Sequence, residues 1–478
     1  MKEDLAYSSE EDWAYQSLAG IGALIQSRAV TSRQVTEALL QRIAQRDSGL
    51  RAFVLVMGTE ALAQADRADR EIAAGKVRGP LHGVPVAVKD LCWIKGFPCA
   101  GGTAVLSEFR PEEDASVVRF LREAGAILIG KTRLTEGAYS DYHSSIQPTL
   151  NPWNNDYWTG ISSSGSAVAV ASGFCFGSIA TDTGGSIRWP SAANGITGIK
   201  PTWGLVSRFG VIELAASLDH IGVMARSVVD ASIVLSAIAG GDARDPTASQ
   251  LPRPDYVAAA MGADIQGLRI GVDPQWNTLD VDKETQDAVL AGTKAFAELG
   301  ASIVEIEFPK ADEVVKDWVP NCAVEAAVAH ELLFARHKSL YGPVFSSVIE
   351  AGASLSGMDY QKILLRRAAF KEKVNALLAS VDAVITPAHP FPPLTLKTIS
   401  TLGAQPELIS KLQRYTSPFN MSGHPTLSIP AGFARDGMPI GMQLIAAQFD
   451  ESTLLRLGSA FQRVTSWHLQ HPPTGGIR

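Results

Sequence analysis

Cysteine is scarce: Cys92, Cys99, Cys175 and Cys322 are the four in a chain of 478 residues. Without C-x-x-C spacing or a dense framework, they exclude a disulfide scaffold, a zinc ribbon and dithiol redox chemistry, and read as buried free thiols. No serine stands in a G-x-S-x-G frame, which excludes the nucleophile elbow of α/β-hydrolases. A long apolar run is missing too, since the richest small-apolar stretch, Ala167 to Ala180, is broken by Ser172 and Gly173. The start, MKEDLAYSSEEDW, is acidic and lacks the basic-then-apolar order of a secretion signal, so a cytoplasmic protein is expected. The formal net charge of −7 is spread over interspersed residues with no basic patch, so neither nucleic acid nor a membrane is an expected partner.

Metal and nucleotide motifs fail on inspection. In HELLFARH, His330 and Glu331 need a second histidine four residues after the first, where Phe334 stands; His337 comes at seven. GAILIGKT, Gly125 to Thr132, satisfies G-x-x-x-x-G-K-[ST], but its variable residues Ala126 to Ile129 form an apolar run typical of a buried strand, not of a phosphate cradle. A P-loop-like nucleotide-binding protein is therefore only a remote alternative. No metal and no cofactor are expected.

What is present is enough apolar residue, 46%, for a large core. TSRQVTEALLQRIAQRD opens with a capping box, Thr31 and Gln34, ahead of Val35, Leu39 and Ile43 on one helical stripe. VPVAVKD and AILIG read as strands, with a helix from about Ala115 to Ala124 between them and a helix from about Gly165 to Gly173 after a Trp/Tyr/Asn-rich loop, Ser140 to Thr159. LRIGVD, SIVEIEF and VDAVITP read as further strands. The alternation predicts an α/β fold, a mixed sheet with helices on both faces. No composition shift marks a boundary, so one domain spanning 1–478 is expected, with 240–400 as an elaboration.

TDTGGSIRWPS, Thr181 to Ser191, sets two glycines before Ser186. If Ser186 is a nucleophile and no histidine is placed to activate it, a lysine is the candidate base. Lys89 ends the strand GVPVAVKD, where burial would lower its pKa and leave a neutral amine. A third segment, GISSSGS, Gly160 to Ser166, lies between the two in sequence. In this order and at about these separations, the three segments resemble the amidase signature family. LNPWN, TGIKPTWGLVSRFG, SLDHIGVMARSVVD, GHPTLSIPAG and MPIGMQLIA extend the likeness over most of the chain.

The resemblance implies the amidase signature fold and a Ser-Ser-Lys triad. Ser186 would be the nucleophile, Ser162 the bridging serine beside a cis peptide, and Lys89 the base. Backbone amides of Thr183, Gly184, Gly185 and Ser186 would face the oxyanion, and Asp182 and Arg188 would hold the loop. Three positions depart from the family pattern: Ile161 and Ser164 stand where glycines are expected, and Arg133 where asparagine usually follows GKT.

The activity implied is hydrolysis of C–N bonds through an acyl-enzyme. The aromatic residues Trp93, Tyr139, Tyr142, Trp153, Tyr157, Trp158 and Trp189 favour a small, uncharged, aryl-bearing amide, anilide or carbamate (urethane), with ester cleavage as a side activity. Tyr139, Trp158 and Ile161 are the candidate pocket residues. The alternative is the glutamine-hydrolysing subunit of a tRNA-dependent amidotransferase, in which a carboxylate ahead of the P-x-N-x-x-G-x-P segment binds glutamine. Here that segment is PFNMSGHP, and an ungapped placement puts Gln413 at the carboxylate position. A homo-oligomer is neither required nor excluded.

Overall fold

The computed structural model describes residues 13–262, 264–400 and 405–473. Among these, eleven strands join in one sheet: β1 (Phe53–Val56), β2 (Pro85–Lys89), β3 (Ile127–Thr132), β4 (Gly177–Asp182), β5 (Thr197–Lys200), β6 (His220–Ala225), β7 (Arg269–Val272), β8 (Ser302–Glu305), β9 (Ala383–Pro387), β10 (Thr426–Phe433) and β11 (Pro439–Ile445). Their spatial order is β1-β3-β2-β4-β6-β5-β10-β11-β9-β7-β8. β3, β2 and β4 run parallel, as do β8, β7 and β9, while the remaining pairings are antiparallel.

β2, β3 and β4 are buried at every residue, because a strand covered on both faces has no solvent side to alternate toward. The two faces are visible along β9, where Ala383 and Ile385 enter one apolar cluster and Val384 the other. Thr31 caps the Ser32–Leu50 helix by accepting from the Gln34 amide at 3.0 Å, and the Gln34 side chain accepts from the Thr31 amide at 2.9 Å. The expected helices near 115–124 and 165–173 are Ser116–Glu123 and Ser164–Ala171. Among the described residues no helix is long and apolar enough to cross a membrane.

Residues 240–400 insert β7, β8 and β9 into the common sheet and add the Asp312–His337, Pro343–Ser354 and Gly357–Leu378 helices. The first two of these helices touch backbone to backbone. A Cβ on Gly352 would lie 1.9 Å from the Ala323 carbonyl oxygen. In an isolated helix alanine is favoured over glycine by about 1 kcal/mol, but here the added methyl must push the helices apart, an overpacking cost of about 1–3 kcal/mol. Gly352→Ala is therefore expected to lower the thermal midpoint in calorimetry. A raised midpoint would show that the helices do not meet at this point.

Candidate active site

Lys89 is the last residue of β2, and Thr181 and Asp182 end β4. Because β2 and β4 are parallel neighbours, these side chains emerge together at the carboxyl end of the strands, where open α/β sheets place their ligands. The Lys89 ammonium nitrogen is fully buried and donates to Ser162 Oγ at 2.8 Å, Ser163 Oγ at 2.8 Å and Thr181 Oγ1 at 2.7 Å. Its hydrogen-bond partners are all hydroxyls. Burial pushes the lysine down to about 7, against the opposing charges of Cys92, Asp219 and Asp182. The buried Cys92 thiol is itself pushed up to about 12, so at neutral pH it carries no charge and only the two carboxylates oppose the shift.

The loop after β4 is clamped from several sides. Both oxygens of the buried Asp182 carboxylate pair with Arg188, at 2.9 Å each, and accept the Gly185 amide at 2.8 Å and the Ile187 amide at 3.1 Å. Arg188 also donates to the Thr416 carbonyl at 2.9 Å and to Asn420 Oδ1 at 2.6 Å. Burial disfavours the Asp182 anion, but the Arg188 charge and hydrogen bonds, with Lys200 and Asn420, outweigh it and hold the carboxyl far below the usual range. Thr416 Oγ1 donates to the Gly184 carbonyl at 2.6 Å, and Trp318 Nε1 to the Thr183 carbonyl at 2.7 Å. Thr183 Oγ1 donates to Asp219, whose carboxyl burial raises to about 6.

The Gly185 amide, expected as an oxyanion donor, is thus already bound to Asp182, and the other three expected donors, the amides of Thr183, Gly184 and Ser186, have no hydrogen-bond partner among the described residues. Packing requires both glycines, and torsion requires Gly185 as well. A Cβ on Gly184 would lie 2.5 Å from the Trp318 ring, and one on Gly185, at φ +142°, 2.6 Å from the Trp189 ring. Ser186 keeps 7% of its surface accessible, while Ser162 and Lys89 are closed. The Ile161–Ser162 peptide is cis.

The family model for amidases matches residues 34–455. The chain belongs to the amidase signature family. AmiD of Mycobacterium tuberculosis, itself described as a putative amidase, is 44% identical over 457 residues, covering 95% of each chain. A glutamyl-tRNA(Gln) amidotransferase subunit of Chloroflexus aggregans is 35% identical over 486 residues, covering 96% of this chain and 98% of its own. A solved bacterial aryl acylamidase of the same family matches with a TM-score of 0.87 at 26% identity, over 97% of this chain and 99% of that one. This amidase is accordingly a hydrolase acting on carbon–nitrogen amide bonds.

The departures from the family pattern make contacts of their own in this amidase. Ile161 packs against the cluster of Trp158, Trp189 and Leu412, as Phe391 and Ile399 do, so the branched side chain extends an apolar group. Ser164 begins its helix and hydrogen-bonds Tyr142 at 2.5 Å, while Arg133 donates to the carbonyls of Arg51, Phe53 and Gln147, tying the 140–159 loop to β1. Tyr139 lies elsewhere, parallel to Trp318 with ring centroids 6.3 Å apart. Trp93 packs against Phe109 and Phe209, and Trp153 against Phe433, outside the Trp158–Trp189 cluster.

Lys131 of the P-loop-like segment pairs with Asp90 at 2.5 Å and donates to the Pro98 carbonyl at 2.7 Å inside a fully buried strand, so it has no face for a phosphate. His330 bonds Tyr341 and burial pushes it down to about 4; His389, beside Trp158, is pushed to about 3. Among the described residues no group of three or more His, Cys, Asp or Glu is placed to hold a metal. Ser163 and Thr181, two of the three oxygens around Lys89, were not singled out from sequence, nor was Trp318. Ser163 carried a faint signal, standing next to Ser162 in the serine run.

Asp182→Asn would leave Arg188 as an uncompensated buried cation. A loss of about 3–5 kcal/mol is expected, read as a fall in the chemical denaturation midpoint, with Asn420→Ala losing less. Equal stability of the Asp182→Asn variant would show that the pair does not anchor the loop.

Proposed function

We propose that this amidase cleaves small, uncharged, aryl-bearing amides, anilides or carbamates through a Ser186–Ser162–Lys89 relay. The observation that carries the reading is Lys89, fully buried and bonded to hydroxyls alone. A lysine so placed is neutral near physiological pH and can accept a proton, which a salt-bridged lysine cannot.

Ser186 Oγ attacks the substrate carbonyl and passes its proton to Ser162 Oγ, whose own proton moves to Lys89 Nζ. The negative oxygen then faces the amides of Thr183, Gly184 and Ser186. Collapse breaks the C–N bond, and the same relay run backwards protonates the departing amine, which leaves poorly otherwise. Water, deprotonated along the same path, releases the acid from the Ser186 ester.

The aromatic residues beside the loop favour this substrate class: Trp189, clustered with Trp158 and Leu412, lies against Gly185, and Trp318, parallel to Tyr139, lies against Gly184. The glutamine-hydrolysing reading has the 35% identical amidotransferase relative in its favour. Gln413, at the position placed for a carboxylate, is buried and uncharged, and its backbone carbonyl accepts from Ser417 Oγ and the Thr416 amide at 3.0 Å each. The chain alone, offered anilides, aryl carbamates and glutamine, should release aryl amine and leave glutamine intact; ammonia release from glutamine would reverse the choice.

Two expectations test the chemistry. A sulfonyl fluoride should label Ser186, and labelling of Ser162 with an active Ser186→Ala variant would reverse their roles. The rate kcat/KM should rise with pH along a limb near 7, because the Lys89 amine accepts protons only above the pKa that burial gives it. Removing the Asp219 charge, which favours the ammonium, should move that limb to lower pH without abolishing it. Lys89→Arg, unable to deprotonate, should lose about 10²- to 10⁴-fold in rate. Near-normal kcat in that variant would reduce the lysine to a fixed charge.

A further inference from the structure

From the 312–337 helix, in the segment that sequence constrains least, we infer that Trp318 is a positioning residue for the oxyanion donors; the inference rests on the Ser186 reading above. Two contacts converge on one peptide. The indole Nε1–H donates to the Thr183 carbonyl at 2.7 Å, and the ring lies so close over Gly184 that a Cβ there would meet Cζ2 at 2.5 Å. In a planar trans peptide the carbonyl and the following N–H point in opposite directions. A donor that fixes the Thr183 oxygen therefore fixes where the Gly184 amide hydrogen points, away from Trp318.

The neighbouring peptides are held in the same manner. The Gly184–Gly185 unit is bound at its oxygen by Thr416 and at its N–H by Asp182, and the Gly185 carbonyl accepts the Trp189 amide at 2.8 Å. Trp318 and Thr416 both reach the loop from outside the signature segments, and Trp318 is the one that holds the Thr183–Gly184 peptide. Its own position is set by its neighbour Asp317, gripped by Arg366 at 2.6 and 2.7 Å, and by Tyr139 stacked parallel on the ring. Glycine at 184 has no side chain to restrain its peptide, so an external donor is needed to preorganise it.

The test is Trp318→Phe together with 3-benzothienylalanine at 318, which keeps the two-ring shape and removes only the N–H. Both are made in the full chain and assayed on 4-nitroacetanilide. A fall in kcat of about 10- to 100-fold is expected, with KM within twofold and the pH limb unmoved. The inhibition constant of an aryl trifluoromethyl ketone, which forms the tetrahedral oxyanion, should rise by the same ratio. The benzothienyl variant keeps the ring packing and loses only one buried hydrogen bond, so it should stay folded with a slightly lowered thermal midpoint and decides the matter if the phenylalanine variant unfolds.

A kcat within twofold of wild type in the benzothienyl variant overturns the inference. So does a fall in kcat with no change in ketone inhibition, or a shifted pH limb, since either would place the effect elsewhere than at the oxyanion. Labelling of Ser186 in the unaltered protein checks the underlying reading separately; its absence would remove that reading, and this inference with it.

Discussion

The buried pairing of Asp182 with Arg188 is the constraint on which the site's geometry depends. Asp182 ends β4, Arg188 begins the Arg188–Asn194 helix, and the turn between them is the loop that carries Ser186. Two charges without solvent must satisfy each other, and the remaining donors and acceptors must come from nearby backbone. That requirement recruits the Gly185 and Ile187 amides on one side and Thr416 and Asn420 on the other. A stretch more than two hundred residues away in sequence is thereby fastened to the loop. The cluster specifies one conformation for the turn, and Ser186 inherits it.

The strand ends of β2 and β4 and the serine run at 160–166 were legible because each has a local cause. A continuous apolar stretch makes a doubly covered strand, and Lys89 follows directly from where VPVAV stops. The capping box at Thr31 and the alternation around 269–305 were readable for similar reasons. β4 was not recognised as a strand, since Gly177, Ser178, Thr181 and Asp182 dilute its apolar pattern, although all are buried and paired in the sheet. β10 carries Pro430 and Gly432, residues that argue against a strand, and the register shift between them shows how the sheet accommodates them.

At the site, the three signature segments could be read because their residue types are tied to chemistry. Trp318, Thr416 and Asn420 could not, since their contacts with the loop span separations of 135 to 238 residues and leave no local pattern. The commitment of the Gly185 amide to Asp182 was equally invisible. Nothing in TDTGGS distinguishes an amide facing a substrate from one facing a carboxylate one turn back.

The three oxygens around Lys89 have a consequence in hydrogen-atom counting. An ammonium has three N–H bonds and suits three acceptors; a neutral amine has two and a lone pair, so one neighbour must donate. Ser163 already gives its hydrogen to the Thr181 carbonyl at 3.0 Å and can only accept from the lysine. The donor to the uncharged amine is therefore the hydroxyl of Ser162 or Thr181. Each time Lys89 gains or loses a proton, one of these two hydroxyls turns around, so the direction of the hydrogen-bond chain reports the charge of the lysine.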